Sequence, residues 1–216
     1  MIPNGDRYPI PGATHRVEEE VRRSRFITTV AYAPTVEDAR AFITSMREEF
    51  ADASHNCWAY LIGAPGSTGQ VGMSDDGEPH GTAGRPMLTV LEHAGVGDIA
   101  AVVTRYFGGT LLGKGGLVKA YSGGVQLALE RLPLSEQIPS VDLQVVVDYS
   151  VITPLQRLFS RFEILSIEEE YSIDVTYSLA IPVEQFEAFR TEVTDLTNGQ
   201  ALFEVTEPET LSLIHI

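Results

Sequence analysis

The fold of the first half of the chain is decided by residues 99–132, which read IAAVVTRYFGGTLLGKGGLVKAYSGGVQLALERL. The run Ile99–Phe107 is almost entirely small, β-branched or aromatic, which is typical of a buried strand. A glycine-rich turn follows it, and the periodicity beyond that turn predicts a helix from about Leu117 to Leu132. This succession of strand, glycine turn and helix predicts a domain that mixes helices with a sheet.

Working outward from this segment, the upstream sequence predicts four more strands and two more helices. They are two strands in Thr14–Tyr32 joined at Arg22-Arg23-Ser24-Arg25, a helix capped by Thr35 that ends near Phe50, a strand at Cys57–Gly63 paired with Gly69–Ser74, and a helix through Pro86 that closes near Gly95. Residues 133–139 contain two prolines and no periodicity, so we place a domain boundary there.

The remaining sequence alternates between strand and helix periods in the order βαββαβ, which is the ferredoxin-like arrangement. The predicted elements are a strand at Val141–Val147, a helix with Thr153 as N-cap and Pro154 in its first position, a strand beginning at Leu165, a strand at Ile173–Ile181, a helix at Val183–Leu196, and a strand at Ala201–Val205. We therefore expect an α+β chain with domains at 1–132 and 140–210 and a linker at 133–139.

The charge of the chain is unevenly distributed. The 216 residues include 15 basic and 30 acidic side chains, a net charge of −15. Residues 1–132 hold 12 basic and 15 acidic side chains, whereas residues 133–216 hold 3 and 15. The second half repels polyanions, so any contact with nucleic acid is expected from the first half. An acidic half also serves solubility alone, and that interpretation stays open.

Several classes of protein are disfavoured by the composition. No run of about 18 apolar residues is present, which argues against a transmembrane helix. The first residues, MIPNGD, lack the basic and apolar pattern of a secretory signal. The single cysteine, Cys57, forms no internal disulfide and no cysteine-based zinc site. We expect a cytoplasmic protein that has no membrane partner.

The last six residues follow no upstream pattern. Leu211–Ile216, LSLIHI, can be back-translated as CTGTCTCTTATACACATC, the end sequence of a transposon used to fragment DNA for sequencing. We expect residues 211–216 to be a non-native tail after Thr210, with a short native tail as the alternative. His215 is therefore given no functional weight.

Three carboxylates fall within four positions in the segment Ser74–Arg85. Asp75, Asp76 and Glu78 offer oxygen ligands for a hard cation, or an acid and a base. The triplet Asp75-Asp76-Gly77 is equally a turn that needs no ligand, and the closing Glu of an EF-hand is missing. Thr82 precedes the next predicted helix and is a possible cap for it. No particular metal is assigned to this cluster.

The second candidate is the glycine-rich turn with its flanking cations and aromatic residues. Backbone N–H groups at the start of a helix favour anions, and the cations extend that preference to RNA. Gly108–Lys114 matches part of a P-loop, but Gly115 stands where Ser or Thr is needed. Glycines that merely permit a tight turn are the alternative. The candidate binding residues are Arg85, Arg105, Tyr106, Gly108, Gly109, Gly113, Lys114, Gly115, Gly116, Lys119 and Tyr121.

A nucleophile is not supported by the sequence. His55 and Cys57 lie two apart on a predicted strand, but no third partner is evident, and a lone buried cysteine is usually a small hydrophobic residue. His15, His80 and His93 are scattered without metal-ligand spacing. We assign no catalytic residue, metal ligand or cofactor, and nothing in the sequence supports a peptidase.

Four segments together resemble the YigZ/IMPACT family. They are Ser24-Arg25-Phe26-Ile27, His55-Asn56-Cys57, Ser74–Arg85 and Thr104–Tyr121, within Val17–Leu132. The resemblance implies a two-layer α/β first domain like that of ribosomal proteins and domain IV of elongation factor G, and a ferredoxin-like second domain. Eukaryotic relatives regulate translation under stress, although through a domain that is not among the matched segments. This chain departs from the family pattern at Trp58, His80, Lys114 and Lys119, where Tyr, Ser, a small residue and Arg are usual.

The leading hypothesis is therefore a non-enzymatic regulatory protein associated with translation. Arg85, Arg105, Lys114 and Lys119 would supply charge to RNA, the ribosome or a translation-factor protein, and no DNA partner is expected. The alternative is an enzyme that uses Asp75, Asp76 and Glu78 on a metal or phosphate ligand held by the Gly108–Gly116 loop. A third possibility is a module that binds only protein.

Overall fold

The run that begins at Ile99 forms the central strand of a five-stranded antiparallel sheet. The structure is a computed structural model that describes residues 7–67 and 70–206. This part of the chain divides into two units, Tyr8–Gln137 and residues 138–206 together with Arg7, called here the first and second units. The predicted α+β architecture of two domains is confirmed.

The first unit contains seven strands and three helices within its described residues. They are β1 Tyr8–Pro11, β2 His15–Val21, β3 Ser24–Tyr32, α1 Val36–Glu49, β4 His55–Ile62, β5 Gln70–Ser74, α2 Gly84–Glu92, β6 Ile99–Tyr106, α3 Lys114–Glu130 and β7 Leu134–Gln137. The strand order in the large sheet is β2-β3-β6-β4-β5, and every neighbouring pair is antiparallel. Helix α1 begins as predicted, with the Thr35 side chain accepting from the Asp38 N–H at 3.1 Å.

Helices cover both faces of this sheet. Side chains of a strand alternate between the two faces, so neighbouring residues of β6 pack in different cores. Ile99, Ala101 and Val103 of β6 pack in one core with α2 and α3. Ala100 and Val102 pack in a second core with α1. We expected a first domain of two layers, but the structure has a helix layer on each side of the sheet. Burial on both faces explains why the β6 sequence shows no polar alternation.

Two short strands were not predicted. β1 pairs with β7 in a two-stranded antiparallel sheet, in which Tyr8 lies opposite Gln137 and Pro11 opposite Leu134. Four-residue strands flanked by proline carry too little periodicity to be recognised in a sequence. β7 occupies most of the stretch that we expected to be an irregular linker.

The second unit has the predicted βαββαβ order. Its elements are β8 Ser140–Val147, a 3-10 turn at Tyr149–Val151, α4 Ile152–Phe159, β9 Ser166–Tyr171, β10 Val175–Pro182, α5 Val183–Leu196 and β11 Leu202–Thr206. The sheet order is β11-β8-β10-β9, as expected of a ferredoxin-like domain. Leu143, Val145 and Tyr177 face the helices in a core with Phe159 and Phe189.

The predicted start of α4 was wrong. The Asp148 carboxylate accepts from the Ser150 N–H at 2.8 Å and caps a 3-10 turn, so the chain is already helical when it reaches Thr153. Pro154 is tolerated in the first turn, where its missing N–H has no acceptor. Helix α3 likewise begins at Lys114, three residues before the predicted Leu117.

Two sequence-based predictions fall on residues that the structure does not describe. These are Gly69, the first residue of the predicted strand Gly69–Ser74, and the expected non-native tail at residues 211–216. Among the helices of the described ranges, none has both the length and the apolar character that crossing a bilayer requires.

Candidate functional site

Three loops of the first unit meet at one end of the five-stranded sheet. Strand pairing sets Arg25 opposite Tyr106, His55 opposite Arg105, and Trp58 opposite Ser74. The turn at 22–23, the segment 75–83 and the glycine loop 107–113 therefore leave the sheet at the same end, which we call the loop end. Helices α2 and α3 both begin there.

Asp75 holds its own segment together. Its Oδ2 accepts from the Gly81 N–H at 2.8 Å, and its Oδ1 accepts from the Ala83 and Gly84 N–H groups at 3.0 and 2.9 Å. The carboxylate therefore caps helix α2, whose N-cap residue Ala83 offers no side-chain acceptor. Thr82 does not cap the helix, because its hydroxyl donates to the Pro79 carbonyl at 2.6 Å.

Replacing Asp75 with asparagine is expected to destabilise the first unit by about 1–2 kcal/mol at pH 7, because the side-chain NH2 replaces one of two oxygens that accept from backbone N–H groups. Partial burial opposes ionisation, but the N–H groups of Gly81, Gly84 and Ala83 hold the pKa of the Asp75 carboxyl below its ordinary value of 3.8. A lowered pKa means that the stabilisation is complete above about pH 4 and is lost as the pH falls through the folded-state pKa. Urea unfolding should give a smaller difference in unfolding free energy between wild type and D75N at pH 3 than at pH 7. An equal difference at both pH values would contradict this role.

Asp76 and Glu78 face different partners. The Asp76 carboxylate accepts from the Asn56 N–H and from Arg47, each at 2.7 Å. Glu78 is buried, and its Oε1 accepts from Arg105 Nη1 at 2.6 Å and from the Tyr121 hydroxyl at 2.7 Å. Glu78 therefore ties its loop to strand β6 and helix α3.

The acidic cluster does not form one shared site in the structure. Each of Asp75, Asp76 and Glu78 is bound to a separate set of donors, and each set fastens a loop. Across residues 7–67 and 70–206, no three His, Cys, Asp or Glu side chains are grouped so that they could hold a metal ion. The geometry supports the turn interpretation of the Asp-Asp-Gly triplet.

Cys57 lies beside this network as a buried thiol. Its Sγ donates to the Asp75 carbonyl at 3.0 Å. Burial raises the pKa of the Cys57 thiol to about 12; a hydrogen bond with Tyr121 opposes the shift, and the nearby carboxylates add to it. Burial and these neighbours also raise the pKa of the Tyr121 phenol, so it stays a proton donor to Glu78.

Native protein is therefore expected to react with iodoacetamide at pH 8 far more slowly than unfolded protein, because only the thiolate attacks. Mass spectrometry should find Cys57 unmodified in buffer and fully modified in guanidinium chloride. Similar labelling rates in the two conditions would show that the thiol is accessible and ionised.

The glycine loop has a backbone that few other residues could adopt. Gly109 and Gly113 have φ values of +82° and +72°, in the left-handed region. At Gly108 a β-carbon would lie 1.8 Å from the Arg23 carbonyl oxygen, so the loop packs directly against the turn at 22–23. Gly115 and Gly116 lie in the first turn of α3, which contains no acidic side chain.

The turn between β2 and β3 is unusual in its sequence. Arg22 and Arg23 form a two-residue hairpin loop with φ values of 49° and 68°, although such loops favour Asn-Gly. Left-handed backbone costs a non-glycine residue about 1 kcal/mol or more. Both arginine side chains are exposed. The chain therefore keeps two cations at a position where other residues would fold more favourably.

Helix α3 brings two more cations to the same end. Tyr121 packs edge-on against Phe26, and Gly124 lies against Thr28, so the helix runs parallel to β3 and begins beside the turn at 22–23. Lys114 and Lys119 are exposed on this helix. Within the described ranges, Arg22, Arg23, Lys114 and Lys119 have no carboxylate at ion-pair distance. We call these four residues the basic end.

The structure gives the other predicted binding residues different roles. Arg105 is buried between the rings of Phe26 and Phe107, whose centres each lie 5.5 Å from the guanidinium carbon. It was expected to be a cation available to a ligand, and that role is corrected because the side chain is enclosed by the fold. Tyr121 is buried with it, and the Tyr106 hydroxyl donates to Asp52 at 2.7 Å. Arg85 is exposed in the first turn of α2, and its Nη1 lies 3.8 Å from Glu92.

Sequence reasoning missed Arg22 and Arg23 as site residues. It identified the run Arg22–Arg25 only as the join between two strands. A signal was available, because a two-residue hairpin loop without glycine or asparagine implies a strained turn, and strained turns are enriched at functional sites.

The family models match both units. The model described as the Impact N-terminal domain matches residues 22–129, and the model described as a domain of unknown function, DUF1949, matches residues 145–200. IMPACT family member YigZ of Escherichia coli (strain K12) is 44% identical over 190 residues, which cover 88% of this chain and 93% of that protein. The chain belongs to the IMPACT family.

Two further comparisons describe the extent of the likeness. Protein IMPACT of Mus musculus is 34% identical over 107 residues, covering 48% of this chain and 33% of that protein. A solved structure described as the crystal structure of a hypothetical protein is 41% identical, with a TM-score of 0.69 over 95% of this chain and 100% of that one. Membership of the IMPACT family suggests a translation-related regulatory role.

Proposed function

We propose that this IMPACT family member is a cytoplasmic, non-enzymatic regulator of translation that binds the ribosome through its RNA, using the basic end of the first unit. The observation that carries the proposal is the turn Arg22-Arg23, where two exposed arginines occupy left-handed backbone without an ion-pair partner among the described residues. Strain kept at an exposed position is expected where the side chains are needed for binding.

The charge distribution supports the same surface. Arg16 and Arg25 of the first unit are neutralised locally, by Glu49 and Glu18, whereas Arg40 and Arg131 are exposed but lie towards the opposite end of the sheet. The second unit is strongly acidic and repels phosphate. We therefore expect phosphate contacts at the loop end. Helix α3 also presents its N-terminal backbone N–H groups there, and its first turn contains no acidic side chain.

The enzymatic alternative gains no support from the geometry. The carboxylates that it requires are bound to Gly81, Asn56 and Arg105, and they point to three separate sets of donors. The Gly108–Gly116 loop, with which an enzyme would hold a phosphate ligand, can equally bind the phosphates of RNA.

The test is RNA binding by the full chain across a salt series, measured by fluorescence anisotropy. Four phosphate contacts predict a slope of log K against log salt of about −3. Replacing Arg22, Arg23, Lys114 and Lys119 with alanine should remove most of the affinity and flatten the slope. Arg40 and Arg131 are exposed and lie towards the opposite end of the sheet, so R40A/R131A is the control for positive charge lost away from the basic end and should bind like wild type. Equal losses in both variants, or none in either, would exclude the basic end.

A further inference from the structure

Phe107 is an aromatic ring at the loop end that contacts the Arg105 guanidinium but stays half exposed. It is the first residue after β6, and 48% of its surface is accessible. Exposing a large apolar ring is unfavourable, and the buried cores of the first unit do not include it. The ring is therefore a candidate for contact with a ligand.

The surroundings of Phe107 hold the ring in place before any ligand arrives. The Ser54 hydroxyl accepts from the Phe107 N–H at 3.1 Å, which fixes the backbone. The Arg105 guanidinium lies 5.5 Å from the ring centre and is itself held by Glu78. A ring fixed in this way loses little conformational entropy when a planar ligand stacks on it.

Phe107 is also adjacent to the basic end. The next residue, Gly108, packs directly against the Arg23 carbonyl, and helix α3 with Lys114 begins seven residues after Phe107. A base stacked on Phe107 would have its flanking phosphates within the reach of a long arginine or lysine side chain. The ring and the cations thus match the two parts of a nucleotide, its base and its phosphate.

Cations alone are a weak explanation for tight binding at this end. Glu19 and Glu20 of β2 lie close to the turn and offset part of the positive charge. Stacking adds affinity without regard to net charge, but it requires bases that are not already stacked in a duplex.

From these contacts we infer that the loop end takes single-stranded RNA, with an unpaired base stacked on Phe107 and its phosphates on the basic end. The inference rests on the proposed function and names the form of RNA that the site selects. Duplex RNA, which hides its base faces, would engage the cations only.

The test compares the full chain bound to a labelled 12-nucleotide single strand of mixed sequence and to the same sequence as a blunt duplex. Wild type should bind the single strand more tightly at equal salt. F107L keeps an apolar side chain without a π face and should weaken single-strand binding by about 5- to 150-fold, the range for losing one stacked base. Duplex binding should not change, and F107W should restore the single-strand affinity.

The outcomes separate this inference from the proposed function. Equal affinity of wild type for both RNA forms, or single-strand binding unchanged in F107L, would overturn stacking and leave the basic end in place. No binding of wild type to either RNA at low salt would overturn both. Thermal unfolding of F107L close to that of wild type shows that its loss of binding is not a loss of fold.

Discussion

Replacing Arg105 with alanine is expected to lower the free energy of unfolding of the first unit by about 3–5 kcal/mol, the usual effect of breaking a buried ion pair. The substitution removes the guanidinium from the buried Glu78 carboxylate and leaves it with the Tyr121 hydroxyl at 2.7 Å and His55 Nε2 at 3.8 Å. It also removes the guanidinium that packs between Phe26 and Phe107. Urea unfolding followed by circular dichroism measures the change.

A matched control lies on strand β3, which pairs with β6. Arg25 is ion-paired with Glu18 at 2.6 Å, but both side chains are about half exposed, at 51% and 52%. Exposed pairs contribute little, so R25A should unfold close to wild type. The double variant E78A/R105A should lose less stability than the two single effects combined, because each single variant leaves one buried charge unpaired and the double variant leaves none. An R105A protein as stable as R25A would show that the buried pair does not hold the loop end.

Replacing Arg22-Arg23 with Asn-Gly is expected to change stability and binding in opposite directions. Asn-Gly is the preferred sequence for a two-residue loop with positive φ at both positions, so the variant should be more stable by about 1–2 kcal/mol. Loss of two of the four cations should weaken RNA binding by about 10- to 30-fold near 0.1 M salt.

This opposition makes the substitution informative, because misfolding cannot explain weaker binding by a more stable protein. Thermal unfolding and RNA anisotropy on the same preparation give both values. The control is R40A/R131A, which removes two exposed cations elsewhere in the first unit. A stabilised variant that binds RNA as well as wild type would contradict the role of the turn.

The sequence predicted the elements whose periodicity is long and regular. Val175–Ile181 alternates cleanly, and the helix capped at Thr35 has both a cap and an apolar stripe. The short strands β1 and β7 carry no such pattern, because their pairing depends on residues more than a hundred positions apart. The start of α4 was misplaced because Asp148 and Thr153 are both good caps, and only the fold selects between them.

The candidate site was predicted only in part. The sequence identified the glycine loop and Lys114, because a strand, a glycine turn and a helix in succession indicate an anion-binding helix start from neighbouring residues alone. It did not show that Arg105 would be buried, since β6 gives no sign of which polar residue meets Glu78 across the fold. The carboxylates at 75, 76 and 78 suggested one cluster, but consecutive loop residues point in different directions and bind different donors.

The most direct test of a ribosomal role for the basic end is co-sedimentation of the full chain with purified ribosomes over a range of salt. The proposal predicts that wild type pellets with ribosomes at low salt and is released progressively as salt rises. A variant with Asn-Gly at 22–23 and alanine at Lys114 and Lys119 should remain in the supernatant although it is folded. Wild type that stays in the supernatant at the lowest salt, or a variant that pellets equally, would contradict the proposal.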